Sequence, residues 1–118
     1  MKYLCLVYGE QQTLAVLSEA EAQALTNESL AYDEVLQRSS HLIVAQALAP
    51  VRTAKPVRVR KRNVTVTDGP FAETKEQLLG FIMINARDLD DALAVASSIP
   101  LAHLGSIEVR AIKELSRT

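Results

Sequence analysis

Strands with no polar face are the feature that most restricts what this chain can fold into. Residues 2–8 (Lys-Tyr-Leu-Cys-Leu-Val-Tyr) read as a strand apolar on both sides and bounded by Gly9. Leu42, Val44 and Leu48 alternate with Ile43, Ala45 and Ala47, and Phe81 and Met83 alternate with Ile82 and Ile84. Only two segments carry helical signals. Ser18 and Glu21 have capping-box spacing, and Ala22, Leu25, Ser29, Tyr32 and Leu36 follow on one face. Asp88 is a second N-cap, ahead of a narrow stripe of Leu89, Ala92, Leu93 and Ala96 that Pro100 ends. Two helices cover one face of a four-stranded sheet and leave the other bare. A bare apolar face needs a partner, and a second copy of the chain is the economical one. The expectation is a homodimer through facing sheets.

A different strand pattern occupies the middle of the chain. Val57-Arg58-Val59-Arg60 and Val64-Thr65-Val66-Thr67 alternate with period two around Lys61-Arg62-Asn63. That pattern predicts a hairpin with valines on one face and Arg and Thr on the other. The first helix is weakened locally by Thr26-Asn27-Glu28-Ser29 and ended by Ser39-Ser40. Strands follow at His41 to Leu48, Gly80 to Ala86 and Ser106 to Lys113. The resulting order, βα, β, hairpin, β, αβ, is the split βαβ plan of a ferredoxin-like α+β fold with an inserted hairpin. With 118 residues, one domain spanning 1–118 is expected.

Composition removes several function classes. The longest apolar runs, such as Leu42 to Ala45, are far too short for a bilayer span. Polar Glu10-Gln11-Gln12 follows the first apolar run without a cleavage site, so a cytoplasmic location is expected. Cys5 has no partner for an internal disulfide and reads as a small core residue. His41 and His103 are far apart, no H-x-x-x-H or C-x-x-C occurs, and the four glycines are scattered, so neither a metal nor a phosphate-bound cofactor is expected. Net charge is −1, yet residues 50–67 alone carry +6, from Arg52, Lys55, Arg58, Arg60, Lys61 and Arg62. A basic ribbon without aromatics and with a slightly acidic whole argues against nucleic acid. A solvated face or a protein-binding face fits it better.

Residues 68–76, Asp-Gly-Pro-Phe-Ala-Glu-Thr-Lys-Glu, fit neither helix nor strand. Gly69-Pro70 is a turn signal, and the proline denies Asp68 the usual Asx bond two residues on. Two readings stand. In one the stretch is a shaped connection, with Phe71 pinned to the core and Thr74, Lys75 and Glu76 solvated. In the other Asp68, Gly69, Pro70, Phe71, Thr74 and Lys75 line a ligand cleft against the partner subunit. His41, at a helix-to-strand junction, either steadies the helix end or faces a cleft as a base. If the chain catalyses a reaction, Asp68 and His41 are the residues for proton transfer. Asp88, Asp90 and Asp91 read as first-turn acids that favour the helix macrodipole.

The stretch 68–76, with Tyr3-Leu4 before it and Gly105-Ser106-Ile107-Glu108-Val109-Arg110 after it, resembles the signature of the DGPF proteins within the YCII-related superfamily. The resemblance covers essentially the whole chain and implies a dimeric α+β barrel. Related enzymes of the superfamily use a His on the first helix and an Asp just before the proline ending the second. The matching positions here are Ser29 and Ile99, neither of which is a proton acceptor. The resemblance also implies an alternative to chemistry, a regulatory module partnered with an extracytoplasmic-function sigma factor through the basic hairpin. The two expectations are therefore a binder or converter of a small organic molecule, and a non-catalytic interaction module.

Overall fold

In the computed structural model, which describes residues 1–117, the apolar N-terminal segment becomes the centre of the sheet. Strand β1 (Lys2–Glu10) pairs antiparallel with β5 (Glu76–Asn85) on one side and β6 (Gly105–Ala111) on the other. Strand β2 (Leu42–Ala47) closes the outer edge of β5, giving the order β2-β5-β1-β6. Strands β3 (Val57–Arg60) and β4 (Asn63–Val66) form a separate two-stranded sheet. The fold is α+β, with three helices: α1 (Gln11–Ala15), α2 (Glu19–Arg38) and α3 (Leu89–Ser97).

Burial along β1 alternates strictly. Tyr3, Cys5 and Val7 are buried, whereas Leu4, Leu6 and Tyr8 are only half-buried. The buried set meets Ile82 and Ile84 of β5, Leu36 of α2, Ala92, Val95 and Ala96 of α3, and Ile99. Burial also pushes the Cys5 thiol up to about 11, consistent with an inert core residue. On the opposite face the register sets Leu4 beside Met83 and Leu6 beside Phe81, and Val44 of β2 continues the row. Helices α2 and α3 thus lie on one face of the sheet, and among the described residues no helix covers Leu4 and Leu6 on the other, whose Tyr8 end is approached by Val51, Thr53, Ala54 and Phe71.

The caps act where the sequence places them. Ser18 Oγ accepts the Glu21 N–H at 3.1 Å, and Glu21 Oε1 accepts the Ser18 N–H at 3.0 Å. The weak stretch near Thr26 does not interrupt α2. Thr26 donates to the Ala22 carbonyl and Gln23 to Asn27, so these polar side chains bond within the helix instead of competing with it. Asp88 Oδ1 accepts the Asp91 N–H at 2.8 Å and starts α3. Helix α1 follows directly from β1 without a side-chain cap, which is why no sequence signal announces it.

Two elements differ from expectation for a physical reason. β5 begins at Glu76, four residues before Gly80, because an irregularity between Val7 and Tyr8 lets pairing with β1 continue past the glycine. Gly80 is needed for close approach, since a Cβ there would lie 2.7 Å from the Gln46 carbonyl of β2. The hairpin forms in the expected register, Val57 opposite Val66 and Val59 opposite Val64. Its turn residues Lys61 and Arg62 take φ of 49° and 66°, a left-handed conformation that costs such residues about 1–2 kcal/mol each.

Gly105 opens β6 against β1, and a Cβ there would fall inside contact distance of the Tyr8 carbonyl oxygen. The obstruction is backbone, which cannot swing aside. Gly105→Ala is therefore expected to lower unfolding free energy by about 2 kcal/mol or more, read from the midpoint of urea denaturation.

Candidate functional site

The structure separates the residues that sequence reasoning grouped as one site. Asp68, Gly69, Pro70, Thr74 and Lys75 do line a common surface cleft, together with Glu10 and Arg52. Two of its charged groups, Asp68 and Lys75, are paired within the chain. Lys55 donates to Asp68, whose side chain is 87% exposed, and Lys75 lies 3.5 Å from Glu10. Gly69, at φ 84°, donates its N–H to the Ala54 carbonyl. Gln77 Nε2 reaches back to the carbonyls of Ala72 and Thr74, at 2.7 and 2.9 Å, and Thr74 Oγ1 donates to the Glu76 carbonyl. Phe71 departs from its expected place. It is 74% exposed, with the Arg58 guanidinium 5.1 Å from its ring centre, so Gln77 braces the loop and the aromatic does not.

His41 sits elsewhere, at the junction of α2 and β2, beside an acid that sequence reasoning treated as a helix-start residue. His41 Nε2 lies 3.1 and 3.3 Å from the two Asp91 oxygens, and Nδ1 lies 2.7 Å from Ser39 Oγ. Asp91 Oδ2 also accepts the Arg87 N–H at 3.0 Å. These bonds, the Arg87 backbone first and His41 next, hold the Asp91 carboxyl down at about 2. An ionised Asp91 keeps a proton on Nε2, and on the other side of the ring Ser39 Oγ, which donates to the Leu36 carbonyl at 3.1 Å, fixes the imidazole through its contact with Nδ1. The order Ser, His, Asp resembles a hydrolytic relay, but Ser39 is the C-cap of α2. The negative end of a helix dipole opposes the anion that such chemistry builds. The arrangement clamps the end of α2 and the start of β2 to the start of α3. Its signal was not local, because Asp91 meets His41 only after β2 pairs with β5, where the Asn85 N–H donates to the His41 carbonyl.

A further concave site lies under the N-terminal half of α2. A cavity of about 380 Å³ opens between that helix, the β2–β5 edge and the segment Ile99–Leu101. Its walls are mainly apolar, with Leu25 and Leu30 from the helix, Ala45 from β2 and Phe81 and Ile82 from β5. Ser29 and Ile99, the positions matched to the proton-transferring pair of related enzymes, both line it. So does Asp33, one turn beyond Ser29 on the same helix face. Burial raises the Asp33 carboxyl above its ordinary value, with no opposing hydrogen bond or cation to bring it down. Sequence reasoning passed over Asp33, although an acid four residues after Ser29 on an otherwise apolar stripe is a readable signal. Among the described residues no three His, Cys, Asp or Glu side chains gather to hold a metal ion, and no helix is long and apolar enough to cross a membrane.

The Asp91 clamp has a defined pH signature. Its folded value is depressed from 3.8, so its contribution to stability is fully present above about 3.8 and is lost as pH falls through about 2. Asp91→Asn should lower the melting temperature at pH 6, and the gap to wild type should close between pH 4 and pH 2. Thermal unfolding followed by circular dichroism across that range reads the effect. A gap independent of pH would assign the loss to packing instead.

Comparison with known proteins identifies a family. The YCII-related domain matches residues 1–116. An uncharacterized protein of Rhizobium meliloti (strain 1021) is 35% identical over 112 residues, covering 93% of this chain and 90% of the relative. A full-length domain match and a relative of that similarity make one conclusion: the chain belongs to the YCII-related family.

Proposed function

We propose that the chain is a homodimer of ferredoxin-like protomers that binds a small, largely apolar organic molecule in the cavity beneath α2. Asp33 is its acid–base group. The observation that carries this reading is the cavity itself, where apolar walls converge on one carboxyl raised by burial. Ligand sites of this size are mostly apolar with a few placed polar groups. A carboxyl pushed upward by burial is the kind that acid–base sites employ. The cavity also contains Ser29 and Ile99, where the family resemblance puts the proton-transferring pair. In this chain Asp33 replaces that pair, and its position favours a proton transfer served by a single carboxyl.

The strand order β2-β5-β1-β6 supports a split βαβ protomer, and the uncovered row of Leu4, Leu6, Phe81 and Met83 supports dimerisation through the sheet. The signature loop and His41 then have supporting roles, one bracing the hairpin and the other fixing the end of α2. In both places the carboxylate is already engaged, Asp68 by Lys55 and Asp91 by His41.

A thermal-shift screen of small aromatic and aliphatic metabolites tests the reading. A binder at a hundred times its Kd stabilises by about 2.7 kcal/mol, roughly 10 °C for a domain of this size. The shift should vanish in Ser29→Trp, whose indole fills the cavity, and should change its pH dependence in Asp33→Asn. If no compound moves the wild-type melting temperature, or if Ser29→Trp responds equally, the cavity is not the site.

Asp33→Asn also has a ligand-free signature. The folded value of Asp33 is raised, so at pH values above it the buried charge destabilises the fold. The variant should melt higher than wild type at neutral pH, and the advantage should disappear below about 3.8, where both states of the wild-type group are protonated.

A further inference from the structure

The hairpin β3–β4 presents a face that its own chain leaves open. Val57, Val59, Val64 and Val66 lie on one side of the ribbon, and each is between 54% and 66% exposed. No helix or strand of the same chain packs substantially against the ribbon. The exposed valine surface is on the order of a few hundred Å², the size at which an apolar patch on a single chain marks an interaction site. A free two-stranded hairpin is marginal in water, and this one carries a Lys-Arg turn in left-handed conformation where Asn or Gly would be favoured. Its persistence calls for contacts from outside the chain.

From this we infer that the valine face of the hairpin is an arm that packs on a second copy of this chain, extending the dimer beyond the sheet. The inference rests on the homodimer reading above and adds the element that completes the interface. The open sheet face is about 19 Å wide and 27 Å long by strand spacing, or roughly 500 Å². A stable dimer buries about 800 Å² on each partner, and the hairpin supplies the missing share. The shape agrees. The protomer measures 51 × 47 × 18 Å with a radius of gyration of 16.4 Å, against about 13–14 Å for a compact domain of this length. A thin plate with a protruding ribbon is the form of a protomer that finishes its core against another.

Charge selects the occupant. The valine face carries no ionisable side chain, so a symmetric contact sets no like charges against each other. Arg58 and Arg60 lie on the opposite face, where Arg58 is held over Phe71 and Arg60 donates to the Val59 carbonyl. An acidic partner would be met by that other face, leaving the valines bare.

Sedimentation equilibrium over about a hundredfold range of concentration tests the arm. Wild type should be a dimer. The double variant Val59→Lys with Val64→Lys, an opposed pair in the ribbon, should weaken the dimer by about a hundredfold or more. Its far-UV circular dichroism should match wild type, because those valines support no other element. Arg58→Glu, on the other face, should leave the dimer unchanged. A double variant that stays dimeric with unaltered Kd overturns the arm while leaving the sheet dimer standing. A monomeric wild type overturns both and gives the valine face to a different protein. Equal weakening by Arg58→Glu also overturns the arm, since the effect would then not belong to the valine face.

Discussion

Tyr3, Cys5 and Val7 of β1 are sealed beneath α2 and α3, while Leu4 and Leu6 face the side that carries neither of these helices. With both helices on one side, the sheet can satisfy only half of its apolar side chains internally. The consequence reaches every other part of the molecule. The plate is only 18 Å thick, about one sheet and one helix layer, so the core is a single stratum. The apolar side chains of the second face are what the proposed dimer would bury.

The same economy explains the cavity. Helix α2 is 20 residues long, but Leu36 is its one buried residue, near the C-terminal end. That end is fixed from several directions, by Tyr32 Oη donating to the Val95 carbonyl at 2.7 Å, by Leu36 in the core, and by the Ser39–His41–Asp91 clamp. The N-terminal half has a capping box but no comparable anchor on the sheet. A helix held at one end and lifted at the other leaves a wedge of space, and residues Leu25, Ser29 and Asp33 face it. Cavity and clamp are thus two ends of one lever. Tight packing at the clamp fixes the angle of α2, and that angle sets the volume of the cavity.

Much of the architecture was legible because its signals are local. Ser18 with Glu21 and Asp88 with Asp91 announce helix starts through bonds made within three residues. The valine alternation fixes the hairpin register, and the two-sided apolar strands point to an uncovered sheet. What was not legible depends on contacts between distant segments. Asp91 looked like a first-turn acid until pairing of β2 with β5 brought His41 to it, 50 residues away. Phe71 looked like an anchor because aromatics normally seek a core, whereas the separation of the hairpin from the main sheet leaves no core within its reach. Asp33 is the exception, because its spacing of four from Ser29 on an apolar stripe is readable in the sequence, while its partial burial follows from how α2 lies over the sheet edge.

The signature stretch takes its physical meaning from its position between arm and sheet. It leaves β4 and enters β5, so its conformation determines where the hairpin points. The groups that looked available for chemistry are used to hold that conformation: Asp68 with Lys55 across the base of the hairpin, Gly69 to Ala54, and Gln77 to the carbonyls of Ala72 and Thr74. Gly69 supplies a backbone angle open to glycine, and Pro70 stiffens the next step. Nine residues with this mixture of turn formers and internally satisfied polar groups are what a rigid elbow requires. An arm that must meet a second protomer at a fixed angle needs such an elbow, because a flexible one would lose in ordering entropy what the valines gain by burial. On the proposed reading, the stretch most characteristic of the sequence serves the assembly, and the chemistry of the protomer belongs to the lifted helix.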